Sequence, residues 1–214
     1  MYWSIQKDGP MAKRGRPRAF ERTEALRAAM NLFWEQGYEG TSISELAAGM
    51  GINSPSLYAA FGSKEALFRE AVALYDATES DATASALAEP TARRSMEALL
   101  RNNLVAYTDP GTPRGCMIVL AANTGKTRNE EVREYLAEYR RSTISVVADR
   151  LRRGVADGDV PPTADIAAIS AFFTTVLHGL SIQARDGASS AELQQVVDVA
   201  MAAWDGMVRP AATP

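Results

Sequence analysis

Apolar residues recur every three or four positions along most of this chain, which is the spacing of amphipathic helices. No stretch of useful length alternates apolar and polar residues as a strand does, and no internal repeat occurs. The pattern predicts two short helices between residues 42 and 61, and longer helices over residues 21–36, 64–80, 90–108, 127–156, 161–185 and 189–208. We therefore predict an all-α fold.

Residues 41–64 form the most informative stretch, because two short helices are predicted there around a glycine corner. Ser42 and Glu45 have the spacing of a capping box, so a helix begins at this point. After the corner, Ser54 is predicted to be an N-cap, with Pro55 in the first helical turn. This order predicts a helix-turn-helix whose second helix starts with side chains small and polar enough to approach base edges.

Charge is unevenly distributed along the chain, although the net charge is only −3 over 214 residues. Residues 11–75 hold 8 basic and 7 acidic residues, and residues 76–214 hold 14 basic and 18 acidic ones. Residues 1–18 are predicted to be a disordered basic arm, which contacts DNA phosphates or the minor groove unless it is only a solvated tail. Met11 is a candidate natural start. The basic residues of the arm are Lys13, Arg14, Arg16 and Arg18.

The order of these parts resembles the tetracycline-repressor (TetR) family of bacterial transcription regulators. The resemblance covers residues 18–75 and rests on Leu32-Phe33, Gly37-Tyr38, Thr41-Ser42-Ile43, Leu46-Ala47, Gly51-Ile52, Ser54 to Tyr58, Phe61, Lys64-Glu65 and Leu67. Residues 114–119 also resemble a Gly-Cys-apolar run of one branch of the family. The resemblance implies a DNA-binding domain over residues 19–75 and a helical effector-binding and dimerisation domain over residues 76–214.

The resemblance also implies which residues contact DNA. They are Thr41 or Ser42 at a phosphate, Ser54, Pro55 and Ser56 in the major groove, Tyr58 at the backbone and Lys64 at a phosphate. Helix N-termini and hydroxyl groups suit such contacts. Ala59 and Ala60 depart from the family pattern, because many members place an aromatic residue or histidine there. We therefore expect less direct base readout and more weight on the arm and on DNA shape.

A ligand-responsive regulator, most simply a repressor, is the function that these features predict. It would bind a palindromic operator as a homodimer and be released by a small, largely apolar effector. The predicted dimer interface, a four-helix contact of the last two helices with their partners, comprises Phe172, Val176, Leu180, Val197, Met201, Trp204 and Val208. The predicted effector pocket comprises Leu104, Tyr107, Cys116, Tyr135, Tyr139, Phe173 and His178.

Other classes of function fit the sequence less well. Ala121 to Thr127 ends like a phosphate-binding loop, but Leu120 stands where that loop needs a glycine, and no parallel sheet is predicted. No nucleophile, base and acid occur in a catalytic arrangement, so we expect no enzyme, no cofactor and no metal. The rival hypothesis is a helical ligand carrier or scaffold whose helix-turn-helix is purely structural.

The single cysteine and one apolar helix indicate in which cellular compartment the protein is expected. Cys116 excludes an intrachain disulfide and fits a reducing compartment, so a cytoplasmic protein is expected. Cys116 itself is predicted to be a buried small hydrophobe, with a redox or electrophile sensor as the alternative. Residues 166–184 are long enough to span a bilayer but carry several polar residues, so we predict a buried helix instead.

Overall fold

The computed structural model describes residues 18–121 and 130–209, without the side chains of residues 18–21, 80 and 81. Within these ranges the chain forms ten helices and no strand, which confirms the predicted all-α fold. The helices are α1 (Arg18–Gly40), α2 (Ile43–Gly49), α3 (Ser54–Phe61), α4 (Lys64–Leu87), α5 (Ala92–Tyr107), α6 (Met117–Leu120), α7 (Glu130–Asp157), α8 (Ile166–Arg185), α9 (Ser190–Ala202) and α10 (Trp204–Val208). Lys13, Arg14, Arg16 and the start predicted for a helix at residue 127 lie outside the described residues, whereas Arg18 is the first residue of α1.

Residues close together in sequence set most of the helix ends from α1 to α4. Gly37 interrupts α1 with a φ of 75°, in the left-handed region that favours glycine. The predicted capping box is present, since the Ser42 amide donates to Glu45 Oε2 at 2.7 Å and the Glu45 amide donates to Ser42 Oγ at 3.2 Å. The cap of α3 differs from the prediction. Asn53, rather than Ser54, accepts the Ser56 amide at 2.8 Å, because its side chain reaches the third residue beyond it.

Helix α4 is longer than the sequence pattern predicts. The sequence predicts a domain boundary after residue 75 and a helix end near residue 80, but α4 continues through this segment to Leu87. Alanine is the best helix former, and the segment is rich in it, so the helix continues without a strong apolar stripe. One continuous helix therefore connects the two halves of the chain.

Two hydrophobic clusters hold the protein together. The first joins α1 to α4 around the fully buried Phe33 and Phe68, and Met117 and Leu136 complete it from α6 and α7. The second joins α5, α7, α8 and α9, with the ring of Phe173 against that of Trp204 at 5.8 Å between centroids. Buried apolar surface of this extent is the main favourable contribution to folding.

Helix α8 is the most apolar helix of the second cluster. It begins at Ile166 with Asp165 as its N-cap, five residues after the start predicted at residue 161. By length and composition alone it could span a bilayer, with a mean hydropathy of 1.5 over its best window. Phe173 and Leu180 lie on its buried side and pack in the second cluster.

Candidate nucleic-acid interface and effector cavity

The first turn of α3 presents a small polar surface to solvent. Pro55 and Ser56 are exposed, Ser54 is half-buried, and the Tyr58 side chain is 48% exposed. Leu57 on the opposite side is fully buried and fixes the helix against the first cluster. This geometry leaves the N-terminal end of α3 free to enter a groove of DNA.

Asn53 belongs to this surface and was missed by sequence reasoning. It is exposed, and its side-chain carbonyl oxygen accepts a hydrogen bond from the Ser56 amide, so its NH2 group is the part of the side chain that can donate to DNA. The signal that would have revealed it is an asparagine one position before a Ser-Pro pair, which is the usual place for an N-cap.

Thr41 is a correction to the predicted phosphate contacts. It is buried, and its hydroxyl donates to the Gly37 carbonyl oxygen at 2.7 Å, so the side chain stabilises the interruption of α1. Ser42 is exposed beside it at the N-terminus of α2. Of the two residues predicted as alternatives, only Ser42 lies at the surface.

Lys64 is held beside the capping box of α2. Its ammonium nitrogen lies 4.4 Å from the centroid of the Tyr38 ring, which is a cation–π contact. Burial lowers the pKa of Lys64, and the charges of Glu39 and Glu45 oppose that change. These acidic neighbours weaken the positive potential of this corner, so Lys64 is a less effective phosphate contact than an isolated lysine.

A cavity of about 280 Å³ lies in the larger half of the chain. Apolar and polar side chains both line it, so it could hold the apolar body of a small molecule and fix its polar groups. Helices α4, α5, α6, α7 and α8 all contribute to it. The apolar lining includes Leu87, Leu99, Ile118, Val119, Val146, Val147 and Leu177, and the polar lining includes Tyr75, Asp76, Glu79, Asn103, Tyr107, Cys116, Arg140, Thr143 and His178.

Three of the seven residues predicted for the effector pocket line this cavity, namely Tyr107, Cys116 and His178. The other four do not. Leu104 and Phe173 belong to the second cluster, because the apolar stripes of α5 and α8 that carry them face the protein interior. Tyr135 and Tyr139 pack together with ring centroids 5.2 Å apart against the first cluster, and the hydroxyl of Tyr135 lies 3.4 Å from the Arg69 carbonyl oxygen.

The Cys116 thiol makes hydrogen bonds with the side chains of Tyr75 and Tyr107, and all three residues line the cavity. Burial raises the pKa of the thiol, and its hydrogen bond with Tyr75 only partly offsets this effect. Burial also raises the pKa values of Tyr75 and Tyr107. Cys116 is half-buried rather than buried as predicted, and the raised pKa of its thiol disfavours the thiolate form that a reactive cysteine needs.

A second cavity, of about 410 Å³, lies where α1, α4 and the end of α5 meet. Tyr75, Glu79 and Tyr107 line both cavities and form the wall between them. Burial raises the pKa of Glu79, whose carboxyl group stands in this wall. A molecule in the first cavity would therefore contact three residues that also line the second cavity, next to α1.

The loop before α6 connects the cavity to α1 and α8. The Cys116 amide donates to Ser181 Oγ at 2.8 Å, and the Trp34 indole donates to the Gly115 carbonyl oxygen at 3.0 Å. Gly115 has a φ of 78°, and a Cβ added there would lie 2.6 Å from the Ser181 carbonyl oxygen. The turn therefore requires glycine at this position.

The outer sides of α8 and α9 carry exposed apolar side chains on neighbouring helices. Phe172 is 37%, Ile182 41%, Val196 36% and Val199 72% exposed. Alanines 168, 171, 202 and 203 lie exposed on the same two helices and their junction with α10. We call this surface the α8–α9 face. Exposed apolar surface of this kind marks an association site.

The predicted dimer interface is corrected by this arrangement. Phe172 lies on the α8–α9 face and Val176 is half-buried beside it. The remaining five residues are buried within the second cluster of the same chain, because the strongest apolar stripe of each helix faces inward. These five are Leu180, Val197, Met201, Trp204 and Val208.

Comparison with known proteins gives a consistent result for both halves of the chain. Residues 25–71 match the family model described as bacterial regulatory proteins, tetR family. Residues 92–200 match the model described as tetracyclin repressor-like, C-terminal domain.

Named relatives extend the similarity over nearly the whole chain. The transcriptional repressor ComR of Escherichia coli K12 is 32% identical over 201 residues, covering 92% of this chain and 94% of ComR. The repressor BdcR of the same organism is 32% identical over 181 residues, covering 84% and 86%. A cysteine mutant of the TetR-family regulator CifR, solved with 26-base-pair operator DNA, is 46% identical with a TM-score of 0.85, covering 89% of this chain and all of that one.

Proposed function

Since this chain belongs to the tetracycline-repressor (TetR) family of bacterial transcription regulators, we propose that it is a ligand-responsive repressor. It binds a palindromic operator as a homodimer and is released by a small-molecule effector. The observation that carries this function is the exposed N-terminal turn of α3, fixed by a buried face, in a chain whose relatives are named repressors. In the domain division, residues 19–75 bind DNA and residues 76–214 bind effector and partner.

DNA contacts come from four places in this proposal, namely α3, the start of α2, the start of α4 and the basic arm. The first turn of α3 enters the major groove with Ser54, Pro55 and Ser56, and Asn53 adds an amide at its edge. Tyr58 reaches the DNA backbone. Ser42 at the N-terminus of α2 and Lys64 at the start of α4 bind phosphates. The basic arm, with Lys13, Arg14, Arg16 and Arg18, supplies sequence-independent affinity.

The homodimer forms through the α8–α9 face. Two copies of this face produce a four-helix contact related by a two-fold axis. Phe172, Ile182, Val196 and Val199 are its apolar centre, since they are the large exposed hydrophobic residues of these two helices. A two-fold dimer places its two α3 helices in successive major grooves of a palindromic site.

The effector occupies the 280 Å³ cavity. Helix α4 links this site to the DNA-binding half, because it begins beside α3 and ends in the cavity wall at Leu87. A ligand that fits one position of α4 better than another shifts the population of dimers whose α3 helices match the operator. We assign no catalytic step to this cavity, and we place the protein in the cytoplasm with the DNA that it binds.

Fluorescence anisotropy with the DNA upstream of the protein's own gene tests this function. The full chain should bind one fragment tightly, and a double S56A/Y58A variant should lose specificity by about tenfold or more. S145A, which removes an exposed hydroxyl from α7, is the matched control and should bind as the unmodified chain does. Weak binding that ignores sequence would instead support the helical carrier.

A further inference from the structure

One part of the effector cavity carries two basic groups on neighbouring helices. Arg140 of α7 and His178 of α8 both line it. The Arg140 guanidinium donates to the Ile118 carbonyl oxygen at 3.1 Å. Within the part of the chain that the structure describes, no carboxylate lies close enough to form an ion pair with it.

Among the described residues, none of the acidic side chains close to Arg140 in sequence or in the cavity forms an ion pair with it. Glu134 pairs with the exposed Arg141 at 2.5 Å. Asp76 and Glu79 line the cavity from α4, and neither forms an ion pair with Arg140. Burial lowers the pKa of Arg140, and burial together with the Arg140 charge lowers the pKa of His178. A half-buried cation without an anion is costly, and this cost is relieved when an anionic ligand binds.

Resting on the proposed function, we propose that the effector is a small amphipathic monocarboxylic acid whose carboxylate binds Arg140 and His178. The planar guanidinium offers paired donors that match a carboxylate, and the neutral imidazole offers one more. The apolar body of the acid then lies against Leu99, Val147 and Leu177.

The wall of the cavity that α4 forms with Asp76 and Glu79 explains why a ligand with one carboxylate is favoured over a ligand with two. Asp76 and Glu79 would repel a second anionic group at that side of the cavity. The burial that raises the pKa of both carboxyl groups makes added negative charge there more costly still. A methyl end or a hydrogen-bond donor is compatible with this wall.

Calorimetry with octanoate, octanol, octylamine and the eight-carbon dicarboxylate suberate tests the assignment on the full-length protein. Octanoate should bind at least about tenfold more tightly than each of the other three. R140Q should lose that preference and R140K should keep part of it. R141Q, which removes the adjacent exposed arginine, is the matched control and should bind octanoate unchanged.

A second variant separates binding from folding, because Arg140 also holds the Ile118 carbonyl oxygen. H178N should weaken octanoate several-fold while its thermal unfolding and its operator affinity without ligand match those of the unmodified chain. Equal binding of octanol and octanoate, or no octanoate binding at millimolar concentration, would overturn the inference even if the operator is bound. A protein that binds octanoate but never binds operator would contradict the proposed function and leave the inference standing.

Discussion

Nη2 of Arg185 lies 2.6 Å from the carbonyl oxygen of Trp34, so the last residue of α8 holds the end of the first segment of α1. The same guanidinium donates to the carbonyl oxygens of Glu35 at 2.8 Å and Arg114 at 2.9 Å. Helix α8, which carries part of the proposed dimer face, is thus bonded directly to α1 of the proposed DNA-binding half and to the loop beside Cys116. The Arg185 guanidinium therefore joins three parts of the chain, namely α8, α1 and the loop before α6.

Replacing Arg185 with alanine should loosen this junction. We expect the free energy of unfolding to fall by about 2 kcal/mol, since hydrogen bonds to a charged donor are lost together. We also expect ligand to displace operator less completely. Denaturant unfolding and operator binding with and without effector measure both effects. R152A removes an exposed arginine that pairs with Asp149, and it should cost less than about 0.5 kcal/mol. Equal unfolding midpoints for R185A and R152A would contradict the prediction.

Gly115 offers a matched test of the same loop. G115A should destabilise the protein by about 3 kcal/mol or more, because the left-handed backbone and the contact with the Ser181 carbonyl oxygen act together. Gly158 has a similar φ of 83°, but a Cβ added there meets nothing within 4 Å. G158A should therefore cost only about 1–2 kcal/mol, the backbone contribution alone. Chemical denaturation measures the difference, and equal losses would mean that the loop yields to the added methyl group.

How far the sequence predicts this protein depends on whether a signal is local. Capping boxes at Ser42 and Ser189 and the glycine interruption of α1 involve residues a few positions apart, so spacing alone reveals them. The length of α4 was missed because an alanine-rich helix needs no apolar stripe.

The faces of α8 and α9 could not be assigned in the same way. Both helices are apolar on more than one side, so periodicity finds a stripe without saying whether it meets the core or a partner. Leu180 and Val197 belong to the stronger stripe and are buried, whereas Val199 lies on the weaker one and is exposed. The residues that line the cavity could not be predicted for a similar reason. They come from five helices, and their spacing along the chain does not show that they lie together in the fold.

A single charge introduced on the α8–α9 face should disrupt the proposed dimer. V199E should convert the dimer to a monomer at micromolar concentration, because a carboxylate would be buried against its symmetry mate. Operator affinity should fall with it, since one helix-turn-helix alone reads half a site. Sedimentation equilibrium measures the association.

The matched control for this change is V105E on α5. Val105 is 67% exposed, close to the 72% of Val199, but it lies outside the α8–α9 face. Its variant should remain a dimer. Dissociation of both variants would point to a general effect of added charge. A dimeric V199E variant would show that the α8–α9 face is not the dimer interface.

His178 should make the free energy of unfolding depend on pH. Its pKa in the folded protein lies below its ordinary value of 6.5, through burial and the charge of Arg140. The unfolded chain therefore binds the proton more readily, and stability conferred by neutral His178 is present above pH 6.5 and is lost as the pH falls below it. H178Q should lose less stability than the unmodified chain between pH 7.5 and pH 5.5, as measured by thermal unfolding without ligand. If both proteins lose the same stability over this pH range, His178 does not cause the predicted pH dependence.

The arm should account for much of the salt dependence of operator binding. Replacing Lys13, Arg14, Arg16 and Arg18 together with alanine should weaken binding and reduce the slope of log affinity against log salt concentration by up to about 3–4, at roughly 0.9 per phosphate contact. The acidic neighbours of Lys64 and the bare Ala59 and Ala60 leave α3 with few charged contacts of its own.

A charge-matched control separates contact by the arm from an effect of net charge. It replaces four exposed arginines of the larger half with alanine, namely Arg93, Arg94, Arg133 and Arg152. This variant loses the same charge, but its residues belong to the half that carries no proposed DNA contact. Its salt slope should match that of the unmodified chain. If both variants flatten the slope equally, long-range attraction explains the effect, and an unchanged slope in the arm variant would assign the phosphate contacts to the helix-turn-helix alone.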